Sequence, residues 1–178
     1  MPRLVISLLL IVLGLSACQT GMLKPSQLFH VLAGGEFILH QDVTIPPGRV
    51  RVAFQDGALV HGVNEFYPRC ELEVMKFSEA PQTVPAGTYR IGKVVGMTNQ
   101  VKQADGNIML ASSISTGLDM GSAQWIMEAY RMTLHSDQQE DVLILSCGGA
   151  YNYPFRARYP SLQEIQTALG AIATIKLR

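Results

Sequence analysis

From residue 36 onward, apolar side chains recur mostly at every second position. Residues 49–54 place Val50, Val52 and Phe54 on one face and Arg49 and Arg51 on the other, the period of a half-buried strand. Residues 37–40 predict a strand before them, with Pro46-Pro47-Gly48 as the turn. Asp56-Gly57 then predicts a tight hairpin into residues 58–60, because both residues tolerate the positive φ of a primed turn. Alternation returns at 70–74, and residues 88–95 read as a strand after the turn-forming Pro85-Ala86-Gly87. The stretch 96–122 is rich in Gly, Ser, Thr and Asn and predicts a long loop with a hairpin tip at Asp105-Gly106-Asn107. Residues 125–134 and 142–147 are two more strands, joined by the polar residues 135–140. Helical signals come late: Ser161 followed by Glu164 has the spacing of a capping box, predicting a helix over 162–169 that stops at Gly170. Residues 171–177 form a last apolar strand. The pattern is mainly β, an antiparallel sandwich or partly open barrel, with one C-terminal α-helix.

The first residues obey a different rule. Met1-Pro2-Arg3 leads into a 12-residue apolar run, 4–15, broken only by Ser7 and Gly14, and then Ser16-Ala17-Cys18. Crossing a bilayer core of about 30 Å takes roughly 20 helical residues, so the run reads as an export signal, not a permanent span. A buried core helix would need neither a basic head nor small residues before a cysteine. Leu15-Ser16-Ala17-Cys18 resembles the lipobox of bacterial lipoproteins, a likeness covering about the first 20 residues. It implies that residues 1–17 are removed, that the Cys18 thiol carries a diacylglyceryl group, and that the freed amino group is acylated. Each buried methylene contributes about 0.8 kcal/mol, so two or three chains anchor stably where one would exchange. Residues 18–26 are then the lipidated N-terminus and a short tether, and 27–178 a single β-rich domain facing the periplasm. Gln19 stands where the resemblance would place Asp in a lipoprotein retained at the inner membrane. The expected site is therefore the outer membrane, periplasmic face, with the inner membrane as the alternative.

Charge narrows the partners. Without residues 1–17, whose one charged side chain is Arg3, 13 Lys and Arg face 14 Asp and Glu. A body this close to neutral has no general attraction for nucleic acid, so attachment to the membrane is expected through the lipid, and the partner is expected to be an envelope protein or other envelope component. Hydrophobic residues make up 48% of the chain, enough for a core and too many for a disordered segment.

Two cysteines remain after Cys18. Cys70 shares a strand face with Leu72 and Val74, and Cys147 with Leu143 and Leu145, so both point toward a core and, in an exported chain, predict a disulfide. The alternative makes Cys147 the nucleophile of an envelope hydrolase or transferase, since Gly148-Gly149 backbone could donate to an oxyanion; no residue is singled out as its base. His30, His40, His61 and His135 have no metal-ligand spacing, and no cofactor fingerprint occurs, so neither metal nor cofactor is expected. A third reading is a carrier whose β body encloses a small apolar ligand. The segment 151–159 is the candidate partner-binding site: Tyr151, Tyr153, Arg156, Arg158 and Tyr159 are residue types that bury large areas with few rotors and directional hydrogen bonds. Its plain alternative is a connection whose aromatics cover the core.

Overall fold

A computed structural model of the chain describes residues 25–102, 124–137 and 139–178. Residues 1–17, Cys18, Gln19 and the turn at 105–107 lie outside the described residues. The elements are α1 (Pro25–Leu32), β1 (Glu36–Leu39), β2 (Val43–Ile45), β3 (Arg51–Gln55), β4 (Ala58–Val60), β5 (Arg69–Val74) and β6 (Gln82–Val84). They continue with β7 (Gly87–Lys102), β8 (Gln124–Ser136), β9 (Gln139–Gly148), α2 (Leu162–Leu169) and β10 (Ala173–Lys176). Eight strands make one antiparallel sheet in the order β10-β1-β7-β8-β9-β5-β3-β4, curled into an open half-barrel, while β2 and β6 pair with each other.

Alternation decides which face is inside. In β5, Cys70, Leu72 and Val74 are buried on the concave face with Leu143, Leu145 and Cys147 of β9 directly opposite. Cys70 and Cys147 are bonded to each other across that pair, 77 residues apart in sequence. Both helices fill the concavity: α1 contributes Leu28 and Leu32, one helical repeat apart, and α2 contributes Ile165, Ala168 and Leu169. The capping box of α2 is formed as expected, with Ser161 Oγ accepting from Glu164 N and Ser161 N donating to Glu164 Oε2. Asp56 and Gly57 both have positive φ in the β3–β4 turn. That turn docks on the end of α2, where Gly57 N donates to Ala168 O and a side chain on Gly170 would run into Gly57.

Three local features depart from the sequence pattern. The helix α1 begins at Pro25, inside the stretch expected to be tether. Proline suits a first helical position, where its missing N–H costs nothing. The strands β2 and β6 have three residues each, too few to show a period. The largest correction is at residues 96–102, expected in a loop: β7 runs unbroken to Lys102, paired with β8 to the register Lys102↔Gln124. Gly96 is in mid-strand because of a close approach, not a turn. A Cβ there would collide with the Tyr159 hydroxyl and press on Phe29. Ladder hydrogen bonds along the β7–β8 ribbon outweigh the weak strand preference of its Gly and Asn.

The cross-strand bond constrains the unfolded chain, so Cys70→Ala and Cys147→Ala should destabilise the oxidised protein by similar amounts, at most about 4 to 5 kcal/mol by loop entropy. The double variant should be scarcely worse than either. Denaturant unfolding of the three variants checks this; strictly additive losses would mean that the two residues stabilise the fold independently.

Candidate binding surface

One end of the half-barrel gathers the candidate residues. Antiparallel register puts Arg69 opposite Gly148 and Gly148 opposite Ala129, so the start of β5, the end of β9 and the outer part of β8 lie together. Past Gly148 the chain continues beside β8. Gly149 N donates to Glu128 O, and Ile126 and Asn152 exchange N–H···O bonds of 2.9 Å. This sets Tyr151 on the outer face over Met127 and Ala129, in a small second cluster completed by Met97 and Trp125. Arg69, 6% exposed, lies beneath it, its guanidinium 5.5 Å from the Tyr151 ring centroid. Carboxylates of Glu65 at 3.1 Å and Glu71 at 3.4 Å neutralise Arg69. Tyr151 is thus part of the fold.

Outside this cluster runs a chain of touching aromatics. Phe66 meets Trp125 edge to face with centroids 5.3 Å apart, Trp125 stacks on Tyr153 at 4.8 Å, and Tyr153 stacks on Phe155 at 5.8 Å. Arg156 closes the row with its guanidinium 5.6 Å from the Phe155 ring centroid. Backbone geometry holds each member. Buried Gln55 clamps the loop before β5 by exchanging hydrogen bonds with the Asn64 backbone, and Asn64 Oδ1 accepts from Phe66 N. Tyr153 O accepts from the N–H groups of Arg156 and Ala157, a turn that puts Phe155 at its apex. Phe155 is 80% exposed and Phe66 59%, with Tyr67 and Tyr153 also exposed.

The last two residues of the candidate segment point elsewhere. Tyr159 turns onto the concave face, where its ring lies 5.3 Å from Phe29 and 4.9 Å from Tyr130. Burial, then the neighbouring Tyr159, pushes the Tyr130 phenol up to about 12. Burial and the Glu128 carboxylate raise Tyr159 as well. Arg158 makes a two-pronged pair with Glu164, Nη1 to Oε2 at 2.7 Å and Nη2 to Oε1 at 2.6 Å, so it braces the N-terminus of α2. Of the five predicted residues the structure leaves three exposed, Tyr153, Arg156 and Arg158, and the last is held by Glu164, so two, Tyr153 and Arg156, belong to the aromatic row. It adds Phe155 from within the same segment and, from outside it, Phe66, Tyr67 and the half-buried Trp125, of which the aromatic pair Phe66-Tyr67 in a polar loop was the available sequence signal.

The other candidate chemistry is dispersed. Cys147 is fully buried and bonded to Cys70, leaving no free thiol there to attack a substrate. His30 lies in α1 and His135 in β8, while His40 and His61 follow the ends of β1 and β4, and among the described residues no group of three potential metal ligands occurs. The convex face carries a charge ladder instead: Arg51 reaches Glu71 at 3.2 Å and Glu73 at 3.9 Å, and Arg131 reaches Glu73 at 3.8 Å.

The Arg158 pair sets a pH dependence. Its hydrogen bonds, helped by those from Ser161 and opposed by burial, hold Glu164 down at about 2 against an ordinary 4.5. A lowered folded-state value contributes stability that is complete above 4.5 and is lost as pH falls through about 2. Because Arg158 is largely in water, the contribution is about 1 kcal/mol. Glu164→Gln should therefore be less stable than the parent by that amount at neutral pH, with the gap closing in acid, as read by urea unfolding across the range. Arg158→Ser should show the same loss at neutral pH, whereas Arg156→Ser should leave stability unchanged.

Comparison with protein-family models, curated proteins and solved structures gives no match to this chain.

Proposed function

We propose that the chain is a lipid-anchored envelope lipoprotein of the outer membrane, periplasmic face, whose β body is a non-enzymatic binding unit. The observation that carries the binding role is the continuous aromatic row from Phe66 through Trp125 and Tyr153 to Phe155 and Arg156. A folded domain ordinarily hides rings of this size, and a contiguous exposed patch marks an interaction surface. Trp, Tyr and Arg are also the side chains that dominate contact energies at interfaces. The anchor rests on the lipobox-like sequence at Cys18 and the apolar run before it. No observation favours the two other readings. The concave face that a carrier would use is filled by α1 and α2, and the sulfur that a cysteine-dependent enzyme would use is bonded to Cys70.

Two arms test anchor and surface separately. Cys18→Ser should abolish palmitate labelling and leave an unprocessed precursor; normal labelling would end the lipoprotein reading. A photoreactive residue at position 155 should cross-link to an envelope component in intact cells, while one at the exposed position 163 on α2 should not. Cross-linking that fails at 155 in a normally lipidated chain would remove the aromatic row from the proposed function.

A further inference from the structure

The position at which the chain enters the fold says what the aromatic row meets. Just past α1, Gly34 N donates to Ile91 O, while Phe29 within the helix lies against Gly96 and, 4.8 Å between centroids, Tyr130. Going back along α1 from Gly34 to Phe29 therefore follows β7 from Ile91 toward Gly96, in the direction of Lys102. Pro25 lies one further turn along, about 6 Å beyond Phe29 in the same direction. Trp125 lies that way too, opposite Val101 and five residues from Tyr130, about 17 Å along β8. The loop holding Phe66 and Tyr67 and the turn holding Tyr153 and Phe155 adjoin that end of the sheet, because they flank Arg69 and Gly148. The first described residue and the aromatic row thus occupy one end of the molecule.

Resting on the lipoprotein reading of Cys18, we infer that the aromatic row seats in the headgroup region of the bilayer that holds the lipid. Six residues stand between Cys18 and Pro25, so that span is at most about 24 Å, and the end of the body where the chain enters must stay close to the membrane. Trp and Tyr favour the depth where the ring is dehydrated and its polar edge stays wet, and Arg156 beside Phe155 supplies a cation for lipid phosphate. A short tether holds such a surface at an effective concentration of order mM, so even weak interfacial affinity keeps it seated. Exposed Met75 and Phe77 form no rival at this end. They follow Val74, whose partner Leu143 is at the opposite end of β9. The consequence is a fixed orientation, with the aromatic end down and the opposite end, including Met75 and Phe77, directed away from the membrane.

Trp125 is the chain's one tryptophan, so its fluorescence reports this surface alone. The test uses the full mature lipidated chain, purified from membranes and reconstituted into vesicles of phosphatidylethanolamine with a minority of phosphatidylglycerol. Phospholipid brominated near the glycerol end of its acyl chains should quench Trp125 strongly, and phospholipid brominated near the chain ends should quench it weakly. Phe155→Ser, which leaves the direct neighbours of Trp125 in place, should reduce the shallow quenching by about twofold or more as the interfacial anchor is lost. The pair Met75→Ser and Phe77→Ser should leave it unchanged. Vesicle-bound chain whose Trp125 is quenched by neither lipid would overturn the seating while leaving the anchor intact. The same holds for Trp125 shielded from acrylamide without bromine quenching, which would mean that a protein or a second copy covers it. Quenching lost on changing Met75 and Phe77 would reverse the orientation and also overturn the inference. Chain that carries no acyl group and does not hold to the vesicles would overturn the lipoprotein reading itself, and the seating with it.

Discussion

The register between β5 and β9 is the constraint on which the aromatic end depends. Strand side chains alternate, so a slip of one residue would turn Cys70, Leu72 and Val74 out of the core and bring Glu71 and Glu73 in. The Cys70–Cys147 bond spans one directly opposed pair and ties the two strands at that position. With it fixed, Arg69 must face outward opposite Gly148, where the absence of a side chain leaves room for Met127 and the overlying Tyr151. The aromatic row is then built on Tyr151, because its neighbours Asn152 and Tyr153 can go only along β8. A core constraint is thereby carried to the surface within a few residues.

The segment 151–159 shows how one run of similar residues is divided among different tasks. Tyr151 covers the small outer cluster, Tyr159 enters the concave core, and Arg158 braces the helix. The turn between them, carrying Tyr153, Phe155 and Arg156, faces solvent without bracing another element. Its rings are nonetheless tied to the sheet, since Tyr153 stacks on Trp125 of β8 and Phe155 stacks on Tyr153. Rings held in a row lose little conformational freedom on meeting a partner, so more of the contact energy is retained.

What was legible in the sequence was whatever a local rule determines. The period of two in 49–54 and 70–74, Asp56-Gly57 with positive φ, and the Ser161–Glu164 box all express interactions within a few residues. The disulfide was legible for a related reason: each cysteine shared a face with apolar neighbours, and after Cys18 only two remained. Residues 96–102 misled because their strand state comes from pairing with 124–130, a partner that no local window contains. Gly96 looked like a loop marker, and its real reason is Tyr159, over 60 residues away. The candidate site was half legible on the same grounds. Composition singled out 151–159, but the direction of each side chain came from the register of β8 and β9, and Phe66 joined through a clamp made by Gln55.

The distribution of charge bears on why aromatics would carry the contact. A body with nearly balanced charges is not drawn to an anionic surface as a whole. Arg51 and Arg131 on the convex face are paired with Glu71 and Glu73, and Arg69 with Glu65 and Glu71, so little of their field reaches solvent. Arg156 stands apart, set against the Phe155 ring at the exposed turn. A single cation on an aromatic row contributes direction more than strength: it favours the arrangement in which a phosphate or carboxylate lies at the Phe155 end. The proposed anchor would supply proximity, the rings contact area and Arg156 polarity. None of the three alone would fix an orientation, and joining them on the end of the fold where the chain enters would let a near-neutral domain of this size hold one orientation at a surface.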